Sequence, residues 1–182
     1  MVDYKTVEES QVNMSLLMTP VHSNFSGKIH GGYILGLMDQ IAFMCASKHS
    51  GSYCVTASVN RVDFLNPVEV GQMLHLKASV NYTGNTSMVV GLHVESEEIR
   101  TGETKHCNSS YFTMVAKDEE GKSVRVPGLI LDSKEKIRRF VRAVERQENT
   151  DTRNTNFDPS VFEVDRYVQF LIGHNLDLQY SE

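Results

Sequence analysis

Hydrophobic and polar residues change their period repeatedly along this chain, and each change marks an element. From Thr6 to Met18 no breaker occurs, and Val12, Met14, Leu16 and Met18 alternate with their neighbours at the period of a short strand. The next stretch, TPVHSNFSGKIHGG, interrupts every period with Pro20, Asn24, Ser26, Gly27, Gly31 and Gly32, and is expected to be a loop. Tyr33 to Ser47 reads as a helix, with Ile34, Met38, Ile41 and Cys45 at helical spacing. Leu35, Leu37, Ala42, Phe43, Met44 and Ala46 fill most of its other faces, so other structure must wrap this helix. Lys48 and His49 in the last turn and Gly51 after it form its stop signal.

Strands are expected next. Cys54 to Phe64 places Val55, Ala57 and Val59 on one face and then shifts phase to Val62 and Phe64, which predicts a bulge near Asn60 and Arg61. Leu74 to Tyr82 and Met88 to Val94 alternate cleanly around the turn Gly84-Asn85 and form a hairpin. A further turn at Thr101-Gly102 leads into Thr104 to Ala116. Ser133 caps a helix running to Gln147, whose stripe is Ile137, Phe140, Val141 and Val144. Asn149 to Asp158 is polar and aperiodic, a linker, and Val161 to Ile172 is apolar enough to dock on something. The order is strand, apolar helix, four-stranded antiparallel meander, C-terminal helix. One helix too apolar for water and one sheet long enough to curl imply an α+β fold with the sheet wrapped on the helix.

Composition narrows the class. With 182 residues, 40% hydrophobic and 23% charged, the chain is globular and of single-domain size. No apolar run reaches the ~20 residues of a membrane span, and the first ten residues are polar and acidic, so the expected location is the cytoplasm. Cys45, Cys54 and Cys107 lack paired spacing and read as reduced core thiols. Net charge is −5, yet residues 121–147 hold eight basic and three acidic side chains, a local +5 that leaves −10 elsewhere. That is one cationic edge, suited to a small polyanion or to plain solvation of a helix face, and it argues against a nucleic-acid partner.

Among candidate chemistry, Asp39 is the single charged side chain between Gly31 and Ser47. A carboxylate in so apolar a helix needs compensation: it lies at a helix edge, pairs with a cation such as Arg61, or serves a functional site. Gly31 and Gly32 open the helix, and backbone N–H groups without side chains over them can hold a carbonyl oxygen or oxyanion; a tight turn is the plain alternative. Asp39 follows Gly32 by seven residues, on nearly the same helix face but about 10 Å along the axis. A shared site is therefore easier if Asp39 comes from a second copy of the chain. Asn24 can donate to a carbonyl oxygen, or simply make an Asx-turn. No metal-ligand spacing, nucleophile elbow, P-loop or dinucleotide fingerprint is present, and no cofactor is expected.

The run Asn24-Phe25-Ser26-Gly27-Lys28-Ile29-His30-Gly31-Gly32, followed by Leu37-Met38-Asp39, resembles the hotdog-fold acyl-CoA thioesterases of the cytosolic, brain-type and related bacterial group. The likeness extends from about Val12 to Pro127 and includes Val55-Thr56-Ala57-Ser58-Val59, Asp63-Phe64, Asn81-Tyr82-Thr83, Thr86-Ser87-Met88, Thr101-Gly102 and Tyr111-Phe112. The resemblance implies a hotdog domain over 1–128, followed here by a basic helix (129–148) and an extension (149–182) without a counterpart. It implies dimers, commonly three together, with Asn24 of one subunit facing Asp39 of another. It implies hydrolysis of a fatty acyl-CoA, with Asp39 as general base or nucleophile and with Asn24 and the Gly32 N–H polarising the thioester carbonyl. By the same analogy His30, Gly31, Arg61, Thr86 and Ser87 face CoA, which enters only as part of substrate and product. The competing readings are a non-catalytic acyl-CoA sensor, which needs a DNA-binding segment not expected ahead of the domain, and a dehydratase, for which His30 is the nearest histidine.

Overall fold

A computed structural model describes residues 3–154 of the chain and the side chains of 3–147. Its central helix, α2 (Gly31–Ser50), begins two residues before the expected start because the His30 carbonyl accepts from both Tyr33 N and Ile34 N. It stops at Gly51, whose φ of 71° is the left-handed cap that glycine adopts without strain. Ile34, Leu37, Met38, Ile41, Ala42, Cys45, Ala46 and His49 are buried along one face. The opposite stripe, Gly32, Leu35, Gly36, Asp39, Gln40 and Met44, is exposed. The curled sheet wraps the helix as expected, but on one side, and within one chain this stripe is left uncovered.

The sheet is antiparallel, with five strands: β2 (Val12–Leu17), β3 (Tyr53–Val59), β4 (Met73–Thr83), β5 (Ser87–Glu98) and β6 (Glu103–Lys117), in the order β2-β4-β5-β6-β3. The hairpin β4–β5 and the turn to β6 follow the expected alternation. β3 does not open a four-strand meander; it pairs with β6 at the far edge. It also ends at Val59 rather than Phe64, and its bulge falls between Thr56 and Ser58, not near Arg61. Beyond it the chain still follows β6 through backbone bonds from Asn60 N to Tyr111 O and from Leu65 N to Cys107 O.

Before β2, the stretch expected to be unbroken holds a short strand, β1 (Tyr4–Thr6), and one helical turn, α1 (Val7–Ser10). Glu9 accepts from Thr6 N at 2.7 Å, which is half of a capping box. β1 pairs in parallel with β7 (Gly128–Ile130). The last element, α3 (Lys134–Asn154), runs through 149–154, where the sequence pattern predicts a linker. The chain divides into two units, 1–144 and 145–182, and of the second the described part is the helical stretch to Asn154. The apolar segment Val161 to Ile172 lies outside the described residues.

The core lies between α2 and the concave face of the sheet. Met38, Ile41, Leu74, Leu76, Val80, Val90, Phe112 and Met114 are fully buried there. The three cysteines are free and buried, and burial pushes the Cys45 thiol up to about 12, so it stays a thiol. No described helix is long and apolar enough to cross a membrane.

His49 closes the far end of α2. Its Nε2 lies 3.0 Å from the Pro127 carbonyl, which can only accept, so Nε2 carries the proton and the buried Nδ1 is bare. Burial holds its pKa below the ordinary histidine value. As pH falls through ~6.5 the unfolded chain takes up this proton before the folded one does, so the stability that neutral His49 contributes is present above that pH and is lost below it. Melting temperatures measured from pH 7.5 down to 5.5 are therefore expected to fall more steeply for the native chain than for His49→Gln. Equal slopes would contradict this assignment.

Candidate active site

Three local structures lie along α2, two at its start and one two turns on. The first is the loop ahead of it, folded as a miniature hairpin by the Ser23–Ile29 bridge and by Asn24 N donating to Lys28 O at 2.7 Å. Gly27, at φ 73°, makes the turn. Asn24 Oδ1 accepts from Ser26 N at 2.9 Å and from Lys28 N at 3.1 Å, which is an Asx-turn. Those two N–H donors fix which end of the carboxamide is oxygen. The Asn24 Nδ2 donor is thereby turned away from its own loop, without a hydrogen-bond partner among the described residues.

The second is the start of α2. Tyr33 N and Ile34 N are satisfied by His30 O, whereas Gly31 N and Gly32 N have no partner among the described residues. These are orphan donors at the positive end of a twenty-residue helix. A Cβ at Gly32 would meet nothing within 4 Å, so the space beside this exposed residue is open, while a Cβ at Gly31 would come within 3.2 Å of the Phe64 ring. His22 stacks on Tyr33 at 3.6 Å and braces the loop against the helix. The exposed His30 side chain makes no cap to the helix.

The third is Asp39. It is exposed, and its partner is a hydroxyl: Thr56 Oγ1 donates to Asp39 Oδ1 at 2.6 Å. Cys54 is buried toward the helix, and alternation places Thr56 on that same face. The bulge follows Thr56 immediately. Sequence reasoning passed over this threonine; its signal was position, a hydroxyl on the inner face of the edge strand beside a break in register.

The other candidates lie elsewhere. Arg61 does not compensate Asp39; its Nε pairs with Asp63 at 2.8 Å and its side chain is 85% exposed. Thr86 and Ser87 occupy the β4–β5 turn, where their carbonyls accept from Ala116 N and Gly84 N, and β5 is two strands from β3. Within one chain, then, Asn24, His30, Gly31 and Gly32 gather at the helix start, Asp39 and Thr56 form a pair two turns on, and among the described residues Arg61, Thr86 and Ser87 make no hydrogen bond or ion pair to either group. In the basic stretch, Lys122 pairs with Glu120, Lys136 with Glu8 and Asp132, and Arg138 and Arg139 with Glu135. Among the described residues no three His, Cys, Asp or Glu side chains come together as a metal set.

Comparison with known proteins places the chain in a family. The thioesterase superfamily model matches residues 26–103. Protein VdlD of Helicobacter pylori is 42% identical over 143 residues, which are 79% of this chain and 82% of that protein. Among solved structures, an apo-hexameric acyl-CoA thioesterase superposes with a TM-score of 0.83 at 38% identity, over 86% of this chain and 100% of that one. An acyl-CoA hydrolase from Staphylococcus aureus, solved with butyryl-CoA, CoA and CoA disulfide, gives 0.77 at 30% identity, over 92% of this chain and 98% of its own. That enzyme has also been solved with alanine in place of one asparagine, one aspartate and one threonine, spaced fifteen and seventeen residues apart. The sheet, the helix and the sequence relationship agree: this chain belongs to the thioesterase superfamily.

Proposed function

We infer that this chain is an acyl-CoA thioesterase, which hydrolyses an acyl-CoA to a free acid and CoA. The observation that carries the reading is the pair of Asp39 and Thr56 on the uncovered stripe of α2, in line with orphan N–H donors at that helix's start. Asn24, Asp39 and Thr56 have the fifteen- and seventeen-residue spacing of the three positions replaced in the Staphylococcus aureus enzyme, which supports giving them one common task.

In the reaction, Thr56 occupies Asp39 Oδ1 and leaves Oδ2 to take a proton from water. The water oxygen attacks the thioester carbon, and the carbonyl oxygen turns negative against Gly32 N–H and Asn24 Nδ2. The carbon–sulfur bond then breaks, and the proton passes from Asp39 to the leaving CoA sulfur. Donors aimed at such an oxyanion are each worth about 3 to 4 kcal/mol in the transition state. The exposed Arg61 guanidinium, the Thr86 and Ser87 hydroxyls, and His30 with Gly31 are assigned to the CoA side, where cations and donors meet phosphate.

One chain does not close this site. Asp39 lies about 10 Å along the axis from Gly32, too far for one carbonyl group to touch both ends. A second copy packed on the α2 stripe, running the opposite way, brings its Asp39 to the first copy's helix start. The exposed apolar side chains Leu35, Met44, Tyr53, Val59, Phe64 and Leu65 on α2, β3 and the segment after β3 support such a dimer, because burying them between copies removes them from water. The hexameric state of a similar thioesterase supports assembly of three such pairs.

Thiol release from a panel of acyl-CoAs tests the activity. Asp39→Asn is expected to lose at least ~100-fold in kcat with the fold intact, as for a group acting mainly in the transition state; native turnover in that variant would end the mechanism. A single turnover in ¹⁸O-water is a further check: the base reading puts label in the acid and none in Asp39, and label found in Asp39 would show an anhydride opened at the Asp39 carbonyl.

Asn24 has two duties that different replacements separate. Asn24→Asp keeps the oxygen that accepts from Ser26 and Lys28 but loses the donor, so it should melt near the native temperature and turn over ~100-fold more slowly. Asn24→Ala loses both and should also cost about 1 to 2 kcal/mol of stability by denaturant titration. If Asn24→Asp retains native turnover, Asn24 belongs to the loop alone.

A further inference from the structure

Thr56 has one hydroxyl proton and two acceptors within reach of it. Its Oγ1 lies 2.6 Å from Asp39 Oδ1 and 3.5 Å from Met114 Sδ. A carboxylate has no proton to offer, so while Asp39 is charged the shorter contact requires Thr56 to donate, and the thioether goes without. Once Asp39 is protonated on Oδ2, Oδ1 becomes the carbonyl oxygen of a neutral acid, a weaker acceptor than a carboxylate oxygen, and the thioether competes better for the threonine proton. Met114 sits directly opposite Thr56 in the β3–β6 register, fully buried, with its sulfur on the inner side of the hydroxyl.

We propose that Met114 is a positioning residue for the hydrolysis, an alternative acceptor that takes over the Thr56 hydroxyl as Asp39 picks up its proton. The idea rests on Asp39 acting as the base. Met114 gains a hydrogen bond and no proton; the proton itself still travels from water to Asp39 to the CoA sulfur. By giving the hydroxyl somewhere to turn, the thioether lowers the cost of neutralising Asp39 and so makes it a stronger base than a site whose hydroxyl has the carboxylate as its only acceptor. A buried methionine that merely fills space would do none of this.

Among the described residues, Asp39 and Thr56 make no hydrogen bond or ion pair with another ionisable side chain. On α2, Tyr33 stacks on His22, Lys48 donates to Gln11 O and His49 to Pro127 O, and burial keeps Cys45 a thiol. On β3, the Tyr53 ring packs on Phe43 and Cys54 Sγ donates to Ser52 O. On β6, Glu103 pairs with Lys105, His106 Nε2 lies 3.3 Å from Ser109 Oγ, Cys107 Sγ donates to Lys105 O, Tyr111 lies within electrostatic range of Arg138, and Lys117 donates to Ser123 Oγ.

Met114→Leu retains size and apolarity and removes the acceptor. In the full-length chain its kcat is expected to fall about three-fold and the acid limb of its kcat/KM profile to move about half a unit to lower pH, with KM and melting temperature near native. In a Thr56→Val background, where the hydroxyl is gone, adding Met114→Leu should move neither quantity. The proposal is overturned if Met114→Leu leaves the limb in place with Thr56 present, or moves it equally without Thr56. Asp39→Asn is the accompanying control. If it is inactive and the limb stays put, only the role of Met114 falls; if it is fully active, the base reading falls and takes this inference with it.

Discussion

The layout of the site depends on α2 being packed by one face only. A helix with apolar residues on nearly every side normally disappears into a core, but a single curled sheet can cover only part of its circumference. The remaining stripe holds Gly32, Leu35, Gly36, Asp39, Gln40 and Met44, a mixture of close-approach glycine, bulky apolar side chain and one carboxylate. Water is a poor permanent neighbour for Leu35 and Met44, and Asp39 would not survive there unpaired if the stripe were covered carelessly. In the proposed dimer a second copy of the same surface would reconcile these demands, burying the apolar residues while bringing polar partners to the carboxylate.

Around that stripe the chain assigns its polar groups with little redundancy. The Asn24 oxygen is consumed in folding its own loop, which leaves its nitrogen as a directed donor. The His30 carbonyl satisfies two of the first helical N–H groups and leaves those of the glycines free. Thr56 holds one oxygen of Asp39 and leaves the other open. Each free atom is free because its neighbour is engaged, so the geometry proposed to react is held by the same bonds that hold the local fold.

Much of this was legible in the sequence, and the reasons for the rest are physical. α2 announced itself by an apolar run closed by a left-handed glycine, and the β4–β5 hairpin by alternation around Gly84-Asn85. Alternation identifies strands but not their neighbours, so β3 was assigned to the near side of a meander although its partner is β6, more than fifty residues away. The bulge was sought where the apolar phase shifts, at Arg61, but the backbone register breaks earlier, just after Thr56. The helical stretch 149–154 carries no apolar stripe for periodicity to detect. Asn24, Gly32 and Asp39 stand out in the sequence as candidates because an asparagine, paired glycines and a lone acid differ from their surroundings. Thr56 does not, because a threonine in a strand looks ordinary until its face is known.

The most direct measurement is complementation between two inactive chains. Asn24→Asp and Asp39→Asn subunits are co-expressed so that they assemble together, and turnover of the mixture is compared with each parent. If every site takes Asn24 from one copy and Asp39 from another, half of the pairs are mixed and each mixed pair carries one intact site, so about a quarter of native activity should return. A mixture as inactive as its parents would mean that each chain builds its site alone, and the account of the uncovered helix face would be wrong.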